Sequence, residues 1–244
     1  MLHHFTLLFR EPYSPPPGWE EGLLFEFYRN ILHGDRWQLL LEGLYLALQV
    51  TFGGLALGLI LGFVLALFRI SNIRVLRWFS GLYITIIRGT PLMLQLLIWH
   101  FAIFAGVGIS SITLGIIAFA VNSGAYVCEI FRAGILSVDK GQTEAGRSLG
   151  LTKTKNMSLV VMPQALKNSL PSLVNEFIML FKETALLGAI AVTDLTRAAN
   201  MIRANTFSPF FPLVSAAIVY IIIVTLITWG LGILERRLRK SDTR

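Results

Sequence analysis

Five long apolar stretches run along the chain, separated by short polar or basic segments. A helix needs about 20 residues to cross the hydrocarbon core of a bilayer, and each stretch reaches that length. The pattern predicts an all-α fold, a polytopic membrane bundle of about five transmembrane helices. The predicted spans are residues 37–68, 78–107, 112–136, 160–191 and 210–234.

The first stretch carries small residues at every fourth position, namely Gly54, Gly58, Gly62 and Ala66. Positions four apart lie on one face of a helix. Small side chains on such a face let a second helix approach closely. We therefore interpret this face as a helix-packing surface and not as a ligand groove.

The composition agrees with a membrane protein. Of the 244 residues, 55% are hydrophobic and 14% are charged, whereas soluble domains carry about 25% charged residues. A soluble enzyme of this length could not bury so much apolar surface. The single cysteine, Cys128, excludes a disulfide framework. The four histidines are scattered, so neither a metal site nor a catalytic cluster is predicted.

The basic residues are distributed unevenly between the connecting segments. Three arginines lie in 69–77, four basic residues in 137–157 and five in 235–244, whereas 107–111 has none. Cytoplasmic loops carry the excess of Lys and Arg. The net charge of +7 is therefore attributed to membrane orientation and not to a nucleic-acid partner. We predict that the N-terminus is outside and the C-terminus is cytoplasmic.

Residues 1–36 form a predicted extracytoplasmic leader ahead of a transmembrane domain of residues 37–240. The leader lacks the basic start and apolar core of a signal peptide. The sequence PYSPPPG at 12–18 predicts a stiff linker. Leu24, Phe27 and Ile31 then recur at helical spacing, which fits a helix at the membrane surface or an ordinary packed juxtamembrane helix.

The polar segment 139–163 is predicted to form two short helices with a bend between them. Residues 139–149 form the first helix, and Gly150 is placed where a helix end favours a left-handed backbone. Thr152 can cap a second helix that leads to Met162, and Pro163 opens the next membrane helix. An ordinary basic loop is the alternative.

This segment resembles the cytoplasmic signature of permease subunits of ATP-binding-cassette importers. That signature reads Glu-Ala-Ala, three residues, Gly, nine residues, Ile, one residue, Leu-Pro. The chain has matching positions at matching spacing, with Gly, Val and Met replacing the second Ala, Ile and Leu of the signature. The matching residues are Glu144, Ala145, Gly146, Gly150, Val160, Met162 and Pro163.

Other segments look like the branch of this family that imports polar amino acids. They are Arg88-Gly89-Thr90-Pro91, Ala125-Tyr126-Val127-Cys128-Glu129, Pro163-Gln164-Ala165 and Lys182-Glu183-Thr184-Ala185-Leu186. The resemblance covers about residues 38–240. It implies a bacterial inner-membrane protein that is not itself an enzyme.

The resemblance also implies the partners. They are a second permease copy or a homologue, two ATPase subunits beneath the membrane and an external amino-acid-binding protein. ATP and magnesium would bind the ATPase, so this chain would hold no cofactor. The segment 139–163 would be the coupling segment that docks on the ATPase, through Glu144, Ala145, Gly146, Gly150 and Pro163.

Buried polar residues suggest the substrate path, because polar groups inside a span are costly and usually face a cavity or one another. Asn122, Tyr126 and Glu129 fall at i, i+4 and i+7, on one helix face. Glu129, Glu183 or Asp194 could bind an ammonium group. Backbone amides, Asn122 or a nearby cation could bind a carboxylate.

Three structural alternatives remain open for charged residues on this path. Lys182 could shield a neighbouring charge. Glu129 could pair with Arg132, three residues further along its helix. Arg88 could be an interfacial anchor at the start of a helix.

The predicted function is to import a polar L-amino acid, with arginine, lysine, histidine or glutamine favoured by the acidic residues. The alternative is a stand-alone secondary amino-acid transporter. Such transporters often contain inverted repeats, and the sequence shows no internal repeat. A membrane enzyme would need a cluster of nucleophiles or metal ligands.

Overall fold

The computed structural model describes Gly18 and residues 22–240, with side chains described up to Leu234. Residues 1–17 and 19–21, which hold most of the predicted linker, lie outside the described residues, as does 241–244 at the end of the basic tail.

The described part of the chain is helical and contains no strand. The helices are α1 Gly22–Phe27, α2 Arg36–Ile70, α3 Arg74–Arg88, α4 Leu92–Ile98, α5 Ser111–Leu136, α6 Lys140–Ser148, α7 Lys153–Asn156, α8 Met162–Glu183, α9 Leu195–Thr206 and α10 Phe211–Lys240. Short π-helical turns follow α1, α4 and α7, and 3₁₀ turns lie at His33–Asp35 and Thr184–Ile190. The all-α fold predicted from the sequence is confirmed.

Three described helices are long and apolar enough to cross a membrane: α2 with its preceding turns, α5 and α10. The helical segments Arg74–Arg88 and Leu92–Ile103 are together long and apolar enough as well, and they are bent by 98° relative to each other. They are a fourth span if they cross as one broken helix. The break falls at the predicted Arg88–Pro91 interruption. Helix α8 occupies the fourth predicted stretch but is not among the helices that are apolar enough to cross a membrane. The total of five spans therefore stays a prediction.

The chain divides into two compact units. Unit 1 comprises Met1–Val50, described here from Gly18 and Gly22 onward, together with Phe181–Leu226. Unit 2 comprises Thr51–Leu180 and Ile227–Arg244.

Unit 1 is built around the contact between the start of α2 and α9. Leu39 and Leu40 of α2 form a buried cluster with Leu195, Ala198 and Ile202 of α9. The approach is close because a Cβ on Gly43 would lie 2.8 Å from the Asp194 carbonyl oxygen. The two helices therefore meet almost backbone to backbone.

The leader helix α1 and the turn after it pack within the same unit. Asn30 is fully buried and accepts a hydrogen bond from Thr206 Oγ1 at 2.8 Å. Glu26 Oε2 accepts hydrogen bonds from Asn30 Nδ2 at 2.9 Å and Ser208 Oγ at 3.0 Å. The described leader is thus attached to the C-terminal end of α9 by polar contacts.

In unit 2 the small residues of α2 face α5, as the sequence predicts. A Cβ on Gly54 would lie 2.7 Å from Phe119 Cβ, and one on Gly58 would lie 2.9 Å from Ser123 Cβ. Ala66 continues the face and is buried in the cluster that contains Val127. The interpretation of this stripe as a helix-packing surface is confirmed.

Candidate functional site

A cavity of about 460 Å³ in unit 2 lies between the end of α3, the second half of α5 and the middle of α8. Its lining mixes charged and neutral polar groups. They are Arg88, Tyr126, Glu129, Arg132, Asn168 and Ser169 among others. Such convergent polar groups in one concave site are typical of small-molecule binding.

Arg88 and Tyr126 form one side of this cavity. The Arg88 guanidinium carbon lies 5.0 Å from the centre of the Tyr126 ring, within the range of a cation–π interaction. Arg88 is the last residue of α3. Arg88 therefore lies at the end of a helix and not at its start, because the chain breaks after it at Gly89 and Pro91. Its role as an interfacial anchor stays a prediction.

The break after Arg88 is held by Gln95 of α4. Gln95 Nε2 donates to the Ile87 carbonyl at 2.8 Å and to Thr90 Oγ1 at 2.8 Å. These bonds satisfy groups that the end of α3 leaves without a helical partner. Asn122 of α5 donates in turn to Gln95 Oε1 at 3.5 Å and is 4% exposed. Asn122 thus supports the break and is absent from the cavity lining.

Glu129 carries the negative charge of the cavity lining, and it is already paired. Arg132 Nη2 lies 2.7 Å from Glu129 Oε2, and Arg69 Nε lies 3.9 Å from Oε1. The structural alternative of a Glu129–Arg132 pair is therefore present in this structure. Arg88 forms no ion pair with a described carboxylate, so the charge that remains available in the cavity is positive.

Helices α5 and α8 cross closely beside the cavity. A Cβ on Gly134 would lie 2.0 Å from Ser169 Oγ. Ser169 Oγ donates to the Ala165 carbonyl at 2.8 Å. Asn168 Nδ2 donates to Ser137 Oγ at 2.9 Å. These contacts hold α5 and α8 together where they border the cavity.

The other two predicted substrate residues lie in unit 1. Glu183 ends α8 and is half-buried. Asp194 is fully buried and caps α9, accepting from Thr196 N at 2.8 Å and Arg197 N at 3.2 Å. Burial raises the pKa of the Asp194 carboxyl above its ordinary value, while these backbone donors lower it in part.

The coupling segment has the predicted bend. Gly150 has φ +82°, its N–H donates to the Arg147 carbonyl at 3.0 Å, and Leu151 N–H donates to the Gly146 carbonyl at 3.1 Å. These two bonds form the Schellman motif that closes a helix on a left-handed residue. Thr152 Oγ1 caps α7 by accepting from Lys155 N at 3.3 Å. Both sequence predictions are confirmed.

The predicted ATPase-contacting residues are not equivalent in exposure. Glu144 and Ala145 are exposed on α6, whereas Gly146 is buried. Pro163 is the second residue of α8, directly after the π-helical turn Met157–Val161, and as a proline it has no N–H to donate back into that turn. The short helix α7 passes through a π-helical turn directly into α8, so the segment joins the membrane helix without a loop.

Sequence reasoning missed the roles of Arg88 and Gln95. The signal for Arg88 was the Gly-Thr-Pro break that follows it, which ends a helix and leaves its last side chain at a cavity. Gln95 gave no such signal, because its acceptors on Ile87 and Thr90 come together only in the folded chain.

Comparison with known proteins agrees with this geometry. Residues 54–240 match the family described as binding-protein-dependent transport system inner membrane component. An arginine transport system permease protein of Bacillus subtilis is 40% identical over 83% of this chain and 94% of its own length. An L-cystine transport system permease protein of the same organism is 41% identical over 86% of this chain and 90% of its own length.

A solved structure supports the same relationship. The crystal structure of an amino acid ABC transporter with histidines matches with a TM-score of 0.77 and 42% identity. The match covers 82% of this chain and 94% of that one. The resemblance found in the coupling segment is thereby confirmed, and the chain belongs to the family of inner membrane components of binding-protein-dependent transport systems.

Proposed function

We propose that this chain is the permease subunit of an importer that carries a polar L-amino acid across the bacterial inner membrane. The observation that supports this proposal most directly is the unit 2 cavity, because it combines an arginine, an aromatic ring and a carboxylate. An amino-acid zwitterion needs a partner for each of its two charges, and charge-assisted hydrogen bonds supply them. The relatives that transport arginine and L-cystine support this substrate class.

In the proposed binding mode the substrate carboxylate binds Arg88. This guanidinium borders the cavity and is available to an anion, since its described contact is the Tyr126 ring. The ammonium group binds Glu129 at the expense of its long contact with Arg69, while the shorter bond to Arg132 keeps the carboxylate oriented. Asn122 acts indirectly, because its hydrogen bond to Gln95 supports the helix break that positions Arg88.

Glu183 lies in unit 1 and is absent from the cavity lining, and its contact with a cationic group stays a prediction. For Asp194 the geometry favours helix capping, because both of its oxygens already accept backbone N–H groups. Arginine, lysine, histidine and glutamine stay the predicted substrates, and the positive charge that remains available in the cavity is assigned to the carboxylate that all four carry.

The proposed assembly contains two permease chains, two ATPase subunits and an external binding protein. The chain itself does not hydrolyse ATP, and ATP and magnesium bind the ATPase. The coupling segment transmits ATPase closure to the membrane helices, which move between inward-open and outward-open states. The proposed orientation has the coupling segment and the C-terminus in the cytoplasm and the N-terminus outside.

Reconstitution in proteoliposomes tests this proposal. The complete complex with its binding protein should take up one of the four favoured amino acids only when ATP is present, with L-glutamate as the control substrate. Uptake by the permease alone under an ion gradient would instead support the stand-alone secondary transporter. Thiol labelling of single cysteines in the coupling segment, in a Cys128→Ser background, tests the orientation.

A further inference from the structure

Asn156, at the end of α7, bridges the two arms of the coupling segment. It is 2% exposed, and its Nδ2 donates to the Thr143 carbonyl in α6 at 2.9 Å. Thr143 precedes it by 13 residues, on the other side of the bend at Gly150. A single side chain therefore connects the helix before the bend to the helix after it.

The carboxamide of Asn156 fits against Gly146 of α6. A Cβ on Gly146 would lie 2.1 Å from Asn156 Oδ1 and 2.8 Å from its Cγ, closer than any non-bonded contact allows. Gly146 is also the position where the importer signature has alanine. The carboxamide of Asn156 thus occupies the space that the methyl group of the signature's alanine would fill.

Packing, and not a second hydrogen bond, holds the oxygen of this carboxamide. Asn156 Oδ1 is buried and accepts no hydrogen bond from any residue that the structure describes. A buried acceptor without a donor is costly, so its position reflects a close fit in the space that Gly146 leaves. Any displacement of α6 against α7 would disturb this fit.

The bridge has a direct route to the membrane. Helix α7 continues through Met157–Val161 into α8, which borders the unit 2 cavity. Gln164 at the start of α8 donates to Gln142 Oε1 of α6 at 3.4 Å, a second and weaker contact between these elements. The orientation of α6 is therefore linked to that of α8 through Asn156 and, more weakly, through Gln164.

We propose that Asn156 is a positioning residue, which fits the notch at Gly146 and fixes the angle of α6 against α7 and α8. Movement of α6 then reaches α8 without being absorbed at the bend at Gly150. This inference rests on the proposed function, because it takes α6 to be the helix on which the ATPase acts.

The test compares Gly146→Ala, Asn156→Ala and the double variant in the reconstituted complex, with amino acid transported per ATP hydrolysed as the readout. Gly146→Ala forces the carboxamide out, and transport per ATP should fall roughly tenfold, within the range known for mutations that alter coupling between sites. Asn156→Ala should cause a smaller fall. The double variant should return to the level of Asn156→Ala, because the clash is then gone.

That recovery shows that the effect arises at the contact between the two residues, since two independent losses would add. Transport per ATP separates positioning from general destabilisation, because a smaller amount of folded complex lowers uptake and ATP hydrolysis together. Gly230→Ala is the matched control, because nothing lies within 4 Å of the added Cβ, and it should transport like the wild type. A wild-type ratio in Gly146→Ala overturns the inference, and so does a double variant no better than Gly146→Ala.

Two further results complete the design. If Gly146→Ala does not assemble, Asn156→Ala decides alone, because it only removes atoms, and an unchanged ratio there overturns the inference. A wild-type complex that shows no ATP-dependent uptake contradicts the proposed function itself, which keeps the two failures separate.

Discussion

Gly62 of α2 lies directly against Val127 of α5. A Cβ on this glycine would be 2.6 Å from both Cβ and Cγ1 of the valine, and 2.8 Å from the Gly124 carbonyl oxygen. Because lipid tails are as apolar as side chains, helices in a membrane associate through such close packing more than through hydrophobic burial. The contact therefore fixes how α2 and α5 pair within unit 2.

Replacing Gly62 with alanine should destabilise the protein. The added methyl group overpacks the contact, a change that costs roughly 1–3 kcal/mol. We expect a lower unfolding temperature for the purified complex in detergent, measured by tryptophan fluorescence. Equal unfolding temperatures for Gly62→Ala and the open-site control Gly230→Ala would contradict this packing.

Gly150→Val should uncouple ATP hydrolysis from transport while the protein stays in the membrane. A left-handed backbone costs an L-residue about 1–2 kcal/mol, and a β-branched side chain is the least tolerant of it. No described atom lies near the added side chain, so backbone strain is the cause. We expect substrate-stimulated ATPase activity to be lost.

Gly150→Asn is the matched control for that variant, because asparagine accepts the left-handed conformation. It should retain most of the stimulated ATPase activity. Normal stimulation in Gly150→Val, or equal losses in both variants, would show that the bend does not depend on this backbone conformation.

Arg88→Ala should weaken substrate uptake and leave assembly intact. Loss of a hydrogen bond to a charged group costs about 1.5–3 kcal/mol, so the KM for uptake should rise by roughly tenfold or more. Arg74→Ala removes an exposed arginine at the other end of α3 and should leave KM unchanged. An unchanged KM in Arg88→Ala would remove Arg88 from the proposed site.

Two substitutions at Asp194 separate helix capping from substrate binding. Asparagine caps a helix as well as aspartate does, whereas alanine costs about 0.5–2 kcal/mol. Because burial already raises the pKa of this carboxyl, the neutral amide is well accommodated. Asp194→Asn should therefore keep uptake and lower the unfolding temperature only slightly, because its amide oxygen replaces one of the two acceptors, and Asp194→Ala should lower the unfolding temperature further. Lost uptake with an unfolding temperature that is at most slightly lowered in Asp194→Asn would instead support a substrate contact.

Much of the local structure could be predicted from the sequence because its causes are local. The ends of α5 and α6 are determined by local signals. These signals are the limits of an apolar run, a left-handed glycine and capping side chains, each within about one helical turn of the helix end. The packing face at Gly54 and Gly58 is equally predictable, because small residues four positions apart lie on one face whatever the partner is. The partner helix itself was not predictable.

Site assignment from the sequence was less complete. Asn122, Tyr126 and Glu129 do share one helix face, yet Tyr126 and Glu129 border the cavity while Asn122 bonds to Gln95. The sequence spacing describes one helix, whereas a cavity needs side chains from several. Arg88 became a site residue only because the chain bends by 98° after it.

The sequence by itself determined the membrane class, the helical fold, the importer signature and the bend at Gly150, since composition, periodicity and backbone preference act over a few neighbouring residues. The tertiary structure alone decided which polar groups meet. Arg88 reaches Tyr126 from 38 positions away, and Asn156 reaches back across the bend to Gly146. Such pairings depend on how the helices pack, and that arrangement arises from contacts between residues far apart in the chain.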